Sequence, residues 1–508
     1  MSIIKKNIAA NFAGSIWQAL MSLAFIPLYI KFMGVESYGL IGIFAAVQGV
    51  LAILDMGLTV TIIREMARLS ALPGRAQEMR DLVRTLEVVY WGVAIVVGIA
   101  VTGLSPFIAH KWVKAGQLSP DTVEQAIRIM GMALALQWPS SFYSGGISGL
   151  QKQVLLNGIN IGISTLRGVG AVLILWLVSP TIHAFFTWQI IINVLNTAVL
   201  GLFLWYSLPR TGKGAAFQKP LLAGVWKFTA GISGISALAI ILTQLDKIVL
   251  SKMLTLEMFG YYTLAGSVAV SLYRLTGPVS AAIYPKLTEL VSLADEEGVK
   301  KIYHKSSQLT SVLILPAAVV IALFSREIIF IWTQNPVTAE KTCLLASILV
   351  CGTALNGVIN VPYVLQLAHG WTRLTVYVNS VSVVVLVPII VVLARHFGAV
   401  GGASAWVILN VGYMFTIIPL MHRRLLPQEK WAWYLNDVGA PLAISVLVAG
   451  TGRLLMSGPS SQLWTIARLG VISAATLAAA AAVTPVTRQW VLGKIHGSAL
   501  LTEKKGLS

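Results

Sequence analysis

Apolar runs of about 20 residues, each long enough to cross a hydrocarbon core as a helix, recur along the whole chain with short charged segments between them. That pattern fixes the solvent before any motif is considered. Lipid offers no partners to backbone N–H and C=O groups, so a spanning segment must be a helix or part of a closed barrel. The runs are continuous and lack the apolar/polar alternation of barrel strands. Composition agrees: 56% of the 508 residues are hydrophobic and 11% are charged, against about 25% charged in soluble domains. The chain therefore reads as an all-α polytopic membrane protein with about fourteen transmembrane helices. They are placed near 8–30, 38–62, 86–109, 124–149, 154–178, 184–208, 228–252, 260–285, 308–324, 342–367, 374–394, 401–421, 438–456 and 464–486.

Lys and Arg set the orientation. With the N-terminus inside, the cytoplasmic segments collect Lys5, Lys6, Arg64, Arg75, Arg80, Arg84, Lys227, Lys300, Lys301, Lys305, Arg423, Arg424, Arg488, Lys494, Lys504 and Lys505, among others. The outer segments hold only Lys31, Lys111, Lys114, Lys252, Arg326, Lys341, Arg395 and Arg453. Both termini are expected in the cytoplasm. The segment after Lys6 is expected to stay as the first span, because its apolar run is too long for a signal peptide and lacks a clear cleavage site. The net charge of +18 is largely spent on this topology and implies contact with anionic lipid headgroups rather than nucleic acid. Cys343 and Cys351 share one apolar run at a spacing that fits no zinc or redox motif, so they are expected as small core residues.

The longest loops, near 63–85, 209–227 and 286–307, leave no room for a soluble domain between spans. A water-exposed catalytic domain has nowhere to sit. An internal repeat is visible: "VESYGL" at 35–40 and "LEMFGY" at 256–261 share Glu, an aromatic residue and Gly in order, with Glu36 and Glu257 separated by 221 positions. "LLNGIN" at 155–160 and "LTVYVN" at 374–379 fall in corresponding fifth spans, and Trp188 and Trp406 in the sixth. Two six-helix lobes in a parallel pseudo-twofold repeat follow, over 1–210 and 211–425, with two extra helices and a cytoplasmic tail over 426–508. Prolines inside spans, among them Pro27, Pro139, Pro278, Pro316, Pro362, Pro388 and Pro419, are expected to supply kinks.

Motifs of enzymes are missing. The chain has no G-x-x-x-x-G-K-[ST] loop, no G-x-S-x-G elbow, no H-E-x-x-H and no His/Cys cluster at metal-ligand spacing. No enzyme activity, cofactor or metal is expected. What remains are charges inside the membrane, which are costly and usually face a polar interior. Arg167 in "GISTLRGVGAV" and Arg274 in "AVSLYRLTGPV" lie near the middle of the fifth and eighth spans, one in each lobe, and Lys247 sits in the outer third of the seventh. The guanidinium forks of Arg167 and Arg274 suit phosphate oxygens and the Lys247 ammonium would steer the headgroup, so these three are the expected substrate-binding cations and the substrate is expected to be an anion. Asp55 and Asp246 are the expected acids for ion coupling or charge balance. Asn356, Asn360, Trp188 and Tyr273 either line a lumen for sugars or bond neighbouring helices.

The stretches "IPLYIKFMGVESYGLIGIF" at 26–44, "LDMGL" at 54–58 with "REMARL" at 64–69, and "LDKIVLSKMLTLEMFGYYTLA" at 245–265 resemble the Wzx-type O-antigen and polysaccharide flippases. These belong to the multidrug/oligosaccharidyl-lipid/polysaccharide exporter (MOP) superfamily. The resemblance covers roughly residues 5–425 and implies a two-lobed exporter with a cationic lumen in the bacterial inner membrane. It implies as substrate an oligosaccharide on undecaprenyl pyrophosphate, moved from the cytoplasmic to the periplasmic leaflet by alternating access. Membrane lipids, a polysaccharide polymerase and a chain-length regulator are the implied partners. Lipid II flippases and multidrug antiporters of the superfamily match less well, the latter because Arg167 and Arg274 argue against cationic drugs. An ion-coupled antiporter and a membrane polysaccharide polymerase or ligase stay open as alternatives.

Overall fold

The computed structural model describes residues 3–55, 57–456 and 461–485, and statements about side chains leave aside residues 3–6, 8, 9, 12 and 224–236. The side chains of Lys5, Lys6 and Lys227, together with Met56, Arg488, Lys494, Lys504 and Lys505, lie outside the described residues. Among the described residues there is no β-strand, only an isolated parallel bridge between Lys114 and Thr255.

Helix α1 (Ile3–Ala24) leads into α2 (Ile26–Leu51), with Pro27 in the first turn of α2, where a missing N–H costs little. Gly34 interrupts α2 at φ 80° and ψ 164°, a conformation open to glycine, between the first two expected spans. A 3₁₀ turn (Ala52–Asp55) and left-handed Gly57 precede α3 (Leu58–Ser70). The long α4 (Ala76–Phe107) ends in a π turn (Ile108–Trp112). Ser119 caps α5 (Pro120–Gln137) by accepting the Thr122 N–H, and Pro139 opens α6 (Pro139–Gly149). Then come α7 (Gln153–Leu177), α8 (Ile182–Ser207) and α9 (Lys219–Met253). The chain continues through α10 (Leu256–Ser271), α11 (Tyr273–Ser292), α12 (Glu296–Leu323) and α13 (Ser325–Thr333). It ends with α14 (Pro336–Ala368), α15 (Arg373–Leu425), short α16 (Lys430–Ala432), a π turn (Trp433–Gly439), α17 (Ala440–Leu455) and α18 (Gln462–Val483).

Nine helical segments among the described residues are long and apolar enough to cross a membrane. The all-α polytopic fold is the expected one, but spans and helices do not correspond one to one. Span 38–62 is broken at 52–57, span 124–149 at Trp138 and span 260–285 at Leu272, while α15 covers two spans across Gly398 (φ 58°, ψ −135°). The sharp breaks inside helices fall on Gly34 and Gly398, whereas Pro278, Pro316, Pro362, Pro388 and Pro419 are carried within helices. Cys343 and Cys351 correct an expectation: the first is half-buried and the second exposed, as a small apolar thiol can be where lipid is the solvent.

The chain divides into two compact units, Met1–Gly260 and Tyr261–Ser508. In the first, α1 packs on α7, α4 on α5, α5 on α8, and α9 on α2, α3 and α4. Its core gathers Ile62, Met66, Leu86, Tyr90, Phe142 and Leu204. The segment after α8 is strapped to the start of α4: the Ala216 N–H donates to Asp81 (2.8 Å), the Gln218 N–H to Thr85 Oγ1 (2.9 Å) and Arg80 to the Pro209 carbonyl (3.3 Å). In the second unit α12 packs on α14 and α14 on α15, and the pair α17–α18 docks on α12 around Val320, Phe324, Ala449 and Leu469.

Candidate functional site

Arg167 lies about three-fifths of the way along α7, half-buried. Its guanidinium donates to Gln189 Oε1 (3.3 Å) and Asn193 Oδ1 (2.9 Å) on α8, both of which are buried. Asn193 is itself fixed by donating to the Ala133 carbonyl on α5 (2.9 Å). The partners are neutral amides, so they satisfy two donors without cancelling the charge. A guanidinium carries five donors, which leaves capacity for an anion. Trp188, for which the sequence offers a lumen lining or a bond to a neighbouring helix, packs on Gly170, where a Cβ would come within 2.1 Å of the ring, and donates to the Arg167 carbonyl (3.2 Å). It holds the backbone under the arginine.

Asp55 closes the 3₁₀ turn after α2. Its carboxylate accepts from the hydroxyls of Thr59 and Tyr90 (2.6 Å each) and from the Thr59 N–H (3.2 Å). The expected alternative of pairing with an arginine is not what holds it; the hydroxyls do. Asp55 lines a cavity of about 390 Å³ with Gln48, Thr59, Gln137, Trp138, Ser140 and Ser141. Buried Gln137 Oε1 has no hydrogen-bond partner among the described residues. Sequence reading missed a further acid, Glu87 on α4, which is 8% exposed. It accepts from Tyr143 (2.7 Å) and Trp205 (3.1 Å) and pairs with Arg84 (2.8 Å). Its place at the polar edge of an expected span hid it. The signal available was the Arg84-Glu87 spacing on one helix face.

Lys247 and Asp246 are both half-buried on α9. The Lys247 ammonium folds back along its own helix to the Thr243 carbonyl (3.0 Å) and Gln244 Oε1 (3.2 Å).

In the second unit Arg274 occupies the first turn of α11, directly after the break at Leu272. It is exposed, and among the described residues its guanidinium has no ion-pair or hydrogen-bond partner. Tyr273 and Asn356 share one network, and Asn360 is bonded separately. The Tyr273 hydroxyl donates to Asn356 Oδ1 (3.0 Å), Asn356 donates to Asn410 Oδ1 (2.8 Å), and Asn410 donates to the Trp406 carbonyl (2.8 Å). Ser280 donates to Asn360. These groups largely satisfy one another and tie α11, α14 and α15 together. Arg167 and Arg274 thus stand in different units, one cradled by amides and one free.

A family profile described as "Polysaccharide biosynthesis protein" matches residues 30–334. A curated protein of Shigella flexneri, "Putative O-antigen transporter", is 20% identical over 410 residues, covering 80% of this chain and 94% of its own. Among solved structures, "Lipid II flippase MurJ, inward closed conformation" aligns with a TM-score of 0.67 at 13% identity, over 95% of this chain and 98% of that one. An inward-facing multidrug resistance MATE family transporter of the MOP superfamily gives 0.66 at 13% identity, over 80% and 96%. At such identities the structural likenesses carry the fold alone. They agree with the Wzx-type resemblance of the sequence. With a profile that spans more than half its length, the chain belongs to the polysaccharide biosynthesis protein family, and its polytopic all-α fold is that of the two solved structures it resembles.

Proposed function

We propose that the protein is a flippase that turns a polyprenyl-pyrophosphate-linked oligosaccharide from the cytoplasmic to the periplasmic leaflet of the bacterial inner membrane. The observation that carries this reading is Arg167, an intramembrane cation whose partners are neutral amides. A charge placed in lipid at such cost and left uncancelled suits a negatively charged headgroup. Arg274 and Lys247 supply the remaining positive charge, and the polyprenyl tail stays in lipid. The repeat unit is one of O-antigen, capsule or exopolysaccharide. The 1–210 and 211–425 lobes move by alternating access, with both termini cytoplasmic, and the product passes to a polymerase and its chain-length regulator. The Asp55 cavity, with its carboxylate and the unpartnered Gln137 oxygen, is the coupling site for a proton or cation. Asp246 is the second acid available for charge balance.

The test is leaflet-resolved detection of lipid-linked oligosaccharide in cells lacking the chain, complemented with wild type or with Arg167→Ala and Arg274→Ala. Accumulation in the cytoplasmic leaflet relieved by wild type alone supports the reading. The same Asp55 cavity favours a second reading, a cation-exporting antiporter, and Arg274→Glu separates the two: a flippase for anions loses transfer, whereas a cation exporter keeps or gains it. A polymerase or ligase would leave a covalently altered glycan in purified liposomes.

A further inference from the structure

Helix α15 is a hairpin of two long arms that turn at Gly398. It packs on α14 and touches α16, so the outer faces of both arms, Val384 and Phe415 among them, are exposed. Between the arms runs an apolar cleft of about 420 Å³, walled by Tyr377, Val381 and Val385 on the first arm and by Ile408, Gly412 and Thr416 on the second. A Cβ built on Gly412 would meet nothing within 4 Å, so no neighbouring side chain takes the space there. The Tyr413 hydroxyl donates to Asn379 Oδ1 (3.1 Å) and ties one arm to the other beside the cleft.

An apolar cleft in a membrane can be filled by any hydrocarbon; what distinguishes this one is the charge at its end. Residues four and seven apart share a helix face. The row Val385, Val381, Tyr377 therefore runs back to Arg373, and the row Gly412, Thr416 runs on to Arg423. Arg424 lies over the Trp371 ring (4.4 Å), which brings the two ends of the hairpin together. Arg373, Arg423 and Arg424 are all exposed, and among the described residues none has an ion-pair partner. The positive-inside bias accounts for arginines at this end of the hairpin, but not for their place in line with the cleft on both arms. From Tyr377 to Ile389 the cleft is about 18 Å long at about 1.5 Å per residue, close to the depth of one leaflet of hydrocarbon, about 15 Å.

We propose that the α15 hairpin holds an acidic phospholipid, with one acyl chain in the cleft and its phosphodiester on Arg373, Arg423 and Arg424. The guanidinium forks fit phosphate oxygens, and three cations that no acid neutralises select an anionic headgroup over a zwitterionic one. The length of the cleft suits a chain that reaches through one leaflet rather than the longer undecaprenyl chain. The site lies wholly within the second unit, apart from Arg167, and stands whatever the protein carries.

The experiment uses the full chain in phosphatidylcholine nanodiscs with a trace of phosphatidylglycerol that carries a photoreactive diazirine on one acyl chain, or of phosphatidylcholine that carries the same chain. Adducts are mapped by peptide mass spectrometry. Labelling of 377–389 and 408–416 is read against 95–99 on α4, where Ile95, Val96 and Ile99 are exposed. The phosphatidylglycerol probe is expected to label the cleft at least about fivefold more than the phosphatidylcholine probe. Arg373→Gln with Arg423→Gln and Arg424→Gln, all at exposed positions, removes that preference and leaves 95–99 unchanged. Gly412→Phe, whose ring enters the cleft, loses cleft labelling by both probes. Equal labelling of the wild-type cleft by the two probes, or a preference that survives the three Gln changes, overturns the site. Displacement of the phosphatidylglycerol probe by undecaprenyl phosphate, where the same amount of unlabelled phosphatidylglycerol fails, assigns the cleft to the carrier lipid and overturns it too. Chain-to-chain crosslinks in place of lipid adducts assign the cleft to a second copy, with the same consequence.

Discussion

Arg167 shows how much a single residue can carry in this protein. Removing the guanidinium leaves Gln189 and Asn193 facing each other, and two amides can still pair, so the fold survives the change. Arg167→Gln is therefore expected to keep thermal stability within about 1 kcal/mol of wild type while cutting leaflet transfer at least about tenfold. Arg167→Lys keeps the charge but not the planar fork and is expected to fall between. Quantifying transfer and unfolding on the same preparations checks both; equal transfer by Arg167→Gln would remove Arg167 from the substrate path. Asp55→Asn keeps an oxygen for Thr59 and Tyr90, so it is expected to cost at most about 1.5 kcal/mol of stability. The same change is expected to abolish the response of transport to the coupling gradient, read in proteoliposomes with and without an imposed gradient. At this scale the cost of a charge in lipid made Arg167 and Asp55 legible in the sequence. It could not reveal that Tyr273, Asn356 and Asn410 bond to one another, because donors 83 and 54 positions apart meet only through packing.

Among the elements, the attachment of α17–α18 is the clearest case of a polar contact that decides a position. His304 near the start of α12 faces Asp437 Oδ2 through Nδ1 (2.5 Å) and Glu429 Oε2 through Nε2 (3.2 Å). A carboxylate faces each ring nitrogen, an arrangement that favours the imidazolium. Asp437 is 1% exposed and its other oxygen accepts from Gln308 (2.9 Å). His304→Ala strands a buried carboxylate and is expected to destabilise the second unit by about 3 kcal/mol, seen as a lower unfolding temperature. His304→Ala with Asp437→Asn is expected to recover most of that loss, because the stranded charge is gone. Hydropathy located α17 and α18 well, since length and apolarity suffice for a span. It left Gly34 and Gly398 between expected spans, but it did not locate the breaks at 52–57, Trp138 and Leu272, because the apolar run continues through each of them.

At the scale of the whole molecule, the distribution of Lys and Arg makes a prediction that no single helix makes. The turn between α11 and α12 leads into Lys300, Lys301 and Lys305, whereas the start of α14 sits among few basic residues. By the positive-inside rule the first lies in the cytoplasm and the second outside. Leu293 is 68% exposed in that turn and Val337 is 57% exposed in the first turn of α14, so either position accepts a cysteine without disturbing a core. In right-side-out spheroplasts, with Cys343→Ser and Cys351→Ser, a membrane-impermeant maleimide is expected to label Val337→Cys at once. Leu293→Cys is expected to react only after permeabilisation. The reverse pattern would invert the orientation and with it the proposed direction of transfer. Labelling of both without permeabilisation would place 293 and 337 on one side, which the 28 residues of α12 do not allow if that helix crosses once, since about 20 already span the hydrocarbon. Orientation, unlike the helices, belongs to the chain and the bilayer together, which is why the charge asymmetry of the sequence speaks to it more directly than any contact inside the fold.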